Sequence, residues 1–200
     1  MEGGNWHVWK ATAAVYNSQD PVSFLFALST LLPIVVLIFL AGMASATLSP
    51  RQAPALVLLL GLVYNALLNA VLKALVRSPR PPSPVGRETH QGASSAHGMP
   101  SDHSQFMFFF VSWLMRKADV SGIAMTLTMR GFLILAAVVV AYGRVYNGFH
   151  NFPQVLVGAL VGIVNAYLCT TPLGERVLQQ LAVMVVPIRD FCTMWTLYII

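Results

Sequence analysis

Residues 21–50, PVSFLFALSTLLPIVVLIFLAGMASATLSP, form a run of 30 residues without a single Asp, Glu, Lys or Arg. A helix needs about 20 mostly apolar residues to cross the roughly 30 Å hydrocarbon layer of a membrane. Residues 52–72 form a second uncharged run of 21 residues. Because charged residues make up only 10% of the 200-residue chain, these runs exclude the soluble, fibrous and disordered classes and indicate an integral membrane protein.

The complete pattern of apolar runs predicts an all-α fold, a polytopic transmembrane helix bundle of about five spans. We expect these spans at 22–47, 54–76, 102–115, 122–143 and 153–171. The third run is short for a full crossing, so helix turns on either side are expected to extend it. Around this core the sequence predicts three regions: an N-terminal interfacial segment (1–21), a transmembrane core (22–172) and an amphipathic tail (173–200) with an amphipathic piece at 177–186 and an apolar stretch at 191–200.

Residues 77–101 differ from everything around them. Prolines at 79, 81, 82 and 84 remove backbone donors and prevent the preceding helix from continuing. An extramembrane loop of this length in a compact protein is usually functional or disordered. The sequence therefore predicts an active-site loop at one face of the membrane.

Three polar residues in the second span lie four residues apart, at positions Asn65, Asn69 and Lys73. This spacing places them along one stripe of the helix. Polar groups inside a membrane face the bundle interior or a wet cavity rather than lipid. The stripe therefore indicates a site at the end of this span.

Basic residues exceed acidic ones, 12 Lys and Arg against 7 Asp and Glu. Without a long basic run or a polar face to carry one, this excess indicates loops beside anionic lipid in the bilayer and no nucleic-acid partner. With five spans, each face carries six basic residues. Three of those on the loop's face belong to the candidate site described below. Without those three, the loop's face has three basic residues and the opposite face has six. Because basic loops usually face the cytoplasm, this difference favours a site that faces away from it.

Three clusters of ionisable residues lie at span ends on the same predicted face. The first is Lys73 with Arg80-Pro81, and the second is Pro100-Ser101-Asp102-His103 at the start of the third span. The third is Arg144, His150 and Gln154, with five residues between the first two and three between the last two. Together they offer three cations, two histidines and a helix N-terminus.

Burying three cations together is costly unless a negative group compensates them, and a phosphoryl group does so well. Arginine binds phosphate oxygens through two parallel hydrogen bonds, lysine adds a point charge, and a helix N-terminus binds anions through its free N–H groups. Histidine can attack phosphorus and can transfer protons near neutral pH. The clusters therefore indicate phosphoryl transfer without a metal or other cofactor.

The same clusters, Lys-x6-Arg-Pro, Pro-Ser-x-His and Arg-x5-His, resemble the three signatures of the type-2 phosphatidic acid phosphatase superfamily. More narrowly, four stretches look like the dolichyl-diphosphate phosphatase branch: Gly98–Met107 (GMPSDHSQFM), the Gly-Arg-Val-Tyr at 143–146, Gln154-Val155-Leu156 and Ile188-Arg189-Asp190. The resemblance covers residues 60–195.

This resemblance implies a role for each site residue. His150 would attack the terminal phosphorus and form a phosphohistidine, and His103 would protonate the leaving oxygen and then activate water. Gln154 would orient His150. The phosphate oxygens would be held by Lys73, Arg80, Ser101 and Arg144.

Three positions depart from the superfamily pattern. Gly143 stands where serine is common, and Gln154 replaces the aspartate that would hold the second ring nitrogen of His150. Asp102 brings a carboxylate beside the phosphate. We expect that Asp102 either points into the loop toward Arg77 or Arg87, or weakens turnover.

The implied substrate is dolichyl diphosphate, cleaved to dolichyl phosphate and phosphate at the luminal side of the endoplasmic reticulum, which would recycle the carrier lipid of protein N-glycosylation. Two alternatives stay open: a broad-specificity lipid phosphatase, acting on phosphatidate or other isoprenoid diphosphates, and a non-catalytic binder of lipid phosphates. The spacing of His90 and His97, without nearby cysteine or clustered carboxylates, argues against a metal site.

Overall fold

A computed structural model describes residues 6–9, 14–46, 51–82 and 97–199 of the chain. Helices dominate these residues, as the sequence predicts. In chain order the elements are β1 (Trp6–Trp9), β2 (Ala14–Asn17), α1 (Pro21–Ser29), α2 (Leu32–Ser45), α3 (Gln52–Val76), α4 (Asp102–Val120), α5 (Leu127–Tyr146), α6 (Phe152–Cys169) and α7 (Pro172–Ile199).

Four helical segments within the described residues are long and apolar enough to cross a membrane. They are Pro21–Ser45, Gln52–Val76, Leu127–Tyr146 and Phe152–Cys169, with mean hydropathies of 2.7, 2.2, 1.5 and 1.7. The remaining expected span, 102–115, lies within α4, which begins at Asp102 and runs past Arg116 to Val120. The extension predicted on either side is therefore observed at the C-terminal end only. The all-α membrane bundle is confirmed.

The first span is broken into α1 and α2 at Thr30 and Leu31, where the sequence predicts one continuous helix. Pro33 has no N–H with which to continue the backbone ladder of α1. At the break, the Thr30 hydroxyl donates to the Ala27 carbonyl, at 2.6 Å. The proline thus places a helix break inside an otherwise apolar segment.

Both chain ends have local structure that the sequence prediction does not specify. The N-terminal segment contains an antiparallel hairpin in which His7 pairs with Tyr16 and Val8 with Val15. In the tail, the amphipathic piece and the apolar stretch belong to one helix, α7, which continues through Pro187. Leu178 and Ala182 of α7 are buried in the core.

The α4–α6 crossing is the tightest contact that positions the site. A Cβ on Gly162 would lie 2.4 Å from the Gln105 carbonyl oxygen, and one on Gly158 would lie 2.7 Å from that of Ser101. Glycine at both positions lets the two backbones meet, as in other membrane helix pairs. The Ser101 N–H donates to the Gln154 carbonyl at 3.0 Å, so the N-termini of α4 and α6 lie together.

Below this junction, buried amides connect three helices. The Gln105 carboxamide donates to Asn65 of α3 at 3.0 Å and accepts from Asn69 at 2.7 Å. Asn165 of α6 donates to Asn65 at 2.9 Å. The polar stripe of α3 thus faces the bundle interior, as its spacing predicts. Lys73 is buried at the C-terminal end of this stripe.

Candidate active site

The three sequence clusters meet at one end of the bundle. Lys73 lies in the last turn of α3 and Arg144 in the last turn of α5. Ser101 directly precedes α4, and His150 lies in the turn before α6. The loop brings Arg80 to the same place, where its Nη1 lies 3.2 Å from the His150 Nε2. The described ends of the loop are tied together by the Gly98 N–H, which donates to the Ser78 carbonyl at 2.8 Å.

The contacts of His150 fix the tautomer of its ring. Arginine can only donate a hydrogen bond, so the Nε2 that faces Arg80 accepts one. The opposite nitrogen, Nδ1, then carries the proton and donates to the Gln154 Oε1 at 3.1 Å. His150 therefore holds a lone pair on Nε2, beside a guanidinium that a phosphoryl group would draw toward itself.

The environment of His150 favours its neutral form. The side chain is only 2% exposed. Burial lowers the pKa of His150 well below its usual range, and the charges of Arg144 and Arg80 lower it further. Both effects favour the neutral imidazole, which is the form in which a histidine can act as a nucleophile.

Gln154 holds the loop as well as the histidine. Its Nε2 donates to the Pro79 carbonyl at 2.7 Å and to the Ser78 hydroxyl at 3.2 Å. These bonds turn its Oε1 toward His150, and an aspartate could not make them because it has no donor. Gly98 leaves room for this amide, since a Cβ there would lie 2.6 Å from it. The sequence predicts the contact with His150 but gives no signal for the contact with the loop.

Two buried polar atoms at the site have no hydrogen-bond partner among the described residues, the Ser101 Oγ and the Arg144 Nε. An unsatisfied buried donor is costly, and a charged one more so. A phosphoryl oxygen would satisfy the Arg144 N–H, and the Ser101 hydroxyl could donate to another. Both residues therefore have the chemistry of anion ligands.

Asp102 lies where the sequence analysis does not place it. Its carboxylate accepts a hydrogen bond from the buried Lys73 ammonium, forming an ion pair. The expected orientation toward Arg77 is wrong, and Arg87 lies outside the described residues. The reason is that the start of α4 and the end of α3 lie side by side, so the nearest buried cation is Lys73. Asp102 is thus a built-in competitor for a cation that phosphate would use.

Replacing Asp102 with asparagine is expected to tighten inhibition by orthovanadate about tenfold, because one charge-assisted hydrogen bond to Lys73 no longer has to be exchanged. The measurement is the inhibition constant for a soluble phosphate ester. Asp119→Asn, at the other end of α4 beside Arg130, is the matched control and should leave the constant unchanged. Unchanged or weaker inhibition of the Asp102 variant would contradict this role of the carboxylate.

The residue that orients His103 belongs to none of the three sequence clusters. Its ring hydrogen-bonds to the backbone of Thr30, the residue at the break between α1 and α2. Thr30 is buried. Sequence reasoning misses this partner because Thr30 lies within an apolar run and contributes only its backbone.

Gly143 has a packing reason for departing from serine. A Cβ at this position would lie 2.9 Å from the Phe26 Cβ, so a side chain would displace α1.

In the part of the chain that the structure describes, no three His, Cys, Asp or Glu residues come together as a metal site. His97 pairs with Pro79 in an isolated bridge, and His90 lies outside that part.

Comparison with known proteins places this site in a family. The PAP2 superfamily model matches residues 54–177. The chain is 34% identical to a dolichyldiphosphatase from Saccharomyces cerevisiae, over 78% of this chain and 66% of that protein. It is 31% identical to dolichyldiphosphatase 1 from Dictyostelium discoideum, over 78% and 67%. It is 35% identical to lipid phosphate phosphatase gamma from Arabidopsis thaliana, over 76% and 67%.

The chain spans about two thirds of the length of the curated relatives it matches. No solved structure gives a significant match. The family match includes every candidate site residue, and its end at 177 falls just inside α7. The membrane helices, and the two histidines and two arginines at one end of the bundle, agree with this match, and the chain belongs to the PAP2 superfamily.

Proposed function

We propose that this protein is a metal-independent membrane phosphatase that removes the terminal phosphate of dolichyl diphosphate, through a phosphohistidine at His150. The observation that carries the proposal is the arrangement around that ring: Nδ1 bonded to Gln154 and Nε2 beside Arg80. The dolichyldiphosphatase relatives support the substrate.

In the first step, the Nε2 lone pair of His150 attacks the terminal phosphorus, and the bond from that phosphorus to the bridging oxygen breaks. The non-bridging oxygens attract Arg80 away from the His150 ring. They also accept hydrogen bonds from the Arg144 Nε–H and the Ser101 hydroxyl. Lys73 exchanges Asp102 for a phosphoryl oxygen. His103 gives a proton to the departing dolichyl phosphate.

In the second step, His103 accepts a proton from water, whose oxygen attacks the phosphorus of the phosphohistidine. The P–N bond breaks, inorganic phosphate leaves, and His150 returns to its neutral form. The His103 bond to the Thr30 backbone keeps the ring in place through both steps. Water is the only co-reactant.

A diphosphate suits the neutral Gln154. Cleaving it releases a phosphate monoester, which is a better leaving group than the alkoxide released from a monophosphate. Less charge then has to build up on His150 in the transition state, so an amide without charge suffices to orient the ring.

The site lies at the end of the membrane helices, where the diphosphate of a lipid would lie while its polyprenyl chain stays in the bilayer. The loop charges and the family resemblance support a luminal site in the endoplasmic reticulum membrane. There the reaction would return the carrier lipid of protein N-glycosylation to its monophosphate form.

A broader lipid phosphatase is the second candidate, because the Arabidopsis relative named lipid phosphate phosphatase gamma is 35% identical to the chain. The two candidates differ in what they predict for phosphatidate. The first requires a clear preference for dolichyl diphosphate, and the second requires comparable rates.

The test is phosphate release by the purified protein from dolichyl diphosphate, dolichyl phosphate and phosphatidate, in one detergent with a chelator present. We expect dolichyl diphosphate to be cleaved at least about tenfold faster than the other two, a difference of 1.4 kcal/mol in barrier. The His150→Gln protein is the control for contaminating phosphatase. A preference for phosphatidate would overturn the proposed substrate. Equal phosphate release by the His150→Gln protein would overturn the proposal that this protein is a phosphatase.

A further inference from the structure

Phe149 presents its ring to both arginines of the site. The Arg144 Cζ lies 3.8 Å from the ring centroid and the Arg80 Cζ lies 4.8 Å from it. Both distances fall within the roughly 6 Å over which a guanidinium is attracted to an aromatic face. Phe149 is 3% exposed, so these contacts are shielded from water.

The backbone holds Phe149 in this position. Gly148 adopts a φ of +69°, which glycine tolerates, and turns the chain back after α5. The N–H groups of Phe149 and His150 then both donate to the Arg144 carbonyl, at 2.9 and 3.0 Å. The residues that carry the ring and the nucleophile are therefore both hydrogen-bonded, through their backbone, to the same carbonyl oxygen.

Arg144 is buried and Arg80 is half-buried, so the repulsion between their two guanidiniums is only partly screened by water. The described residues provide no partner for the Arg144 Nε, and the nearest carboxylate, Asp102, is paired with Lys73. A cation–π contact that is shielded from water is stronger than an exposed one. The ring thus offsets part of the repulsion and favours the arrangement in which both guanidiniums face the site.

We propose that Phe149 is a positioning residue that holds Arg80 and Arg144 ready for a tetrahedral phosphoryl group, acting through the negative face of its ring. The inference rests on the proposed function for the identity of the phosphoryl ligand. Its consequence is that phosphate affinity depends on the electrons of the ring as well as on its shape.

The experiment replaces Phe149 in the full chain with 4-fluoro-, 3,5-difluoro- and 3,4,5-trifluorophenylalanine. Fluorine withdraws electrons from the ring face and changes its shape little. The dissociation constant of orthovanadate, measured by calorimetry, is expected to rise stepwise with each fluorine and to reach about tenfold for the trifluoro ring. The melting temperature should remain nearly constant along the series.

Phe109 is the matched control, since its ring is fully buried and packs against Trp113, at 5.6 Å between centroids. The same fluorinated series at Phe109 should leave orthovanadate affinity unchanged. An affinity that does not respond to fluorination at Phe149, or that increases with it, would overturn the proposal. Orthovanadate binding is measured without turnover. A protein that cleaves no dolichyl diphosphate would therefore refute the proposed function and leave this test intact.

Discussion

The His103→Gln variant is expected to accumulate phosphate on His150 while its steady-state turnover falls about 10³-fold, within the range typical of a lost general acid–base catalyst. The two steps depend on His103 unequally. A phosphate monoester leaves readily without full protonation, so the first step is slowed less. Water attacks the phosphohistidine slowly unless a base removes its proton, so the second step becomes limiting.

The structure separates the two histidines enough for this experiment. His103 is bonded to the Thr30 backbone, whereas His150 is held by Gln154 and Arg80. Removing the His103 ring therefore leaves the contacts of the nucleophile intact. The measurement uses dolichyl diphosphate with a radiolabelled terminal phosphate, rapid denaturation in base, and detection of label on the protein.

The His150→Gln protein is the matched control and should acquire no label, because it has no nucleophile. Label on this control would place the covalent bond elsewhere. A His103→Gln protein that turns over slowly but stays unlabelled would mean that His103 acts mainly in the first step, contrary to the leaving-group explanation.

The sequence predicts the membrane fold and the convergence of the site because both depend on local signals. The uncharged runs at 21–50 and 52–72 alone identify the first two spans, predicted at 22–47 and 54–76. The ends of the spans then alternate between the two faces of the membrane, which brings Lys73, Arg144 and His150 to one end. No pairwise contact has to be known for that conclusion.

The partners of the site residues could not be predicted in the same way. Lys73 pairs with Asp102, Gln154 donates to Pro79, and His103 bonds to the backbone of Thr30. Each contact joins separate elements, and its geometry depends on how closely the helices pack. The sequence gives the spacing along one helix but not the distance between two.

The break at Thr30 shows the same limit at the level of secondary structure. The mean hydropathy of the segment 21–45 is high, at 2.7, so it predicts one helix and does not register the effect of Pro33 on the backbone. That break nevertheless supplies the acceptor for His103. A local irregularity inside an apolar run thus contributes to the site without any polar side chain to mark it.

Gly162→Ala is expected to lower kcat/KM about 10²-fold and to lower the free energy of unfolding by about 2 kcal/mol. The new Cβ would lie 2.4 Å from the Gln105 carbonyl oxygen and 2.9 Å from the Phe109 nitrogen. These are backbone atoms that cannot rotate away, so α4 and α6 must separate, at the usual cost of overpacking. A shift of about 1 Å in a catalytic group is enough for such a loss of rate.

The activity loss should arise from the junction of Ser101 with Gln154, because that 3.0 Å bond joins the same two helices above the glycine. Gly131→Ala in α5 is the matched control, since a Cβ there meets nothing within 4 Å. It makes the same chemical change and should leave activity unaltered and stability equal or slightly higher. Thermal unfolding in detergent and kcat/KM for dolichyl diphosphate measure both effects. If Gly162→Ala behaved like Gly131→Ala, the close α4–α6 contact would not be what holds the two histidine-bearing segments in register.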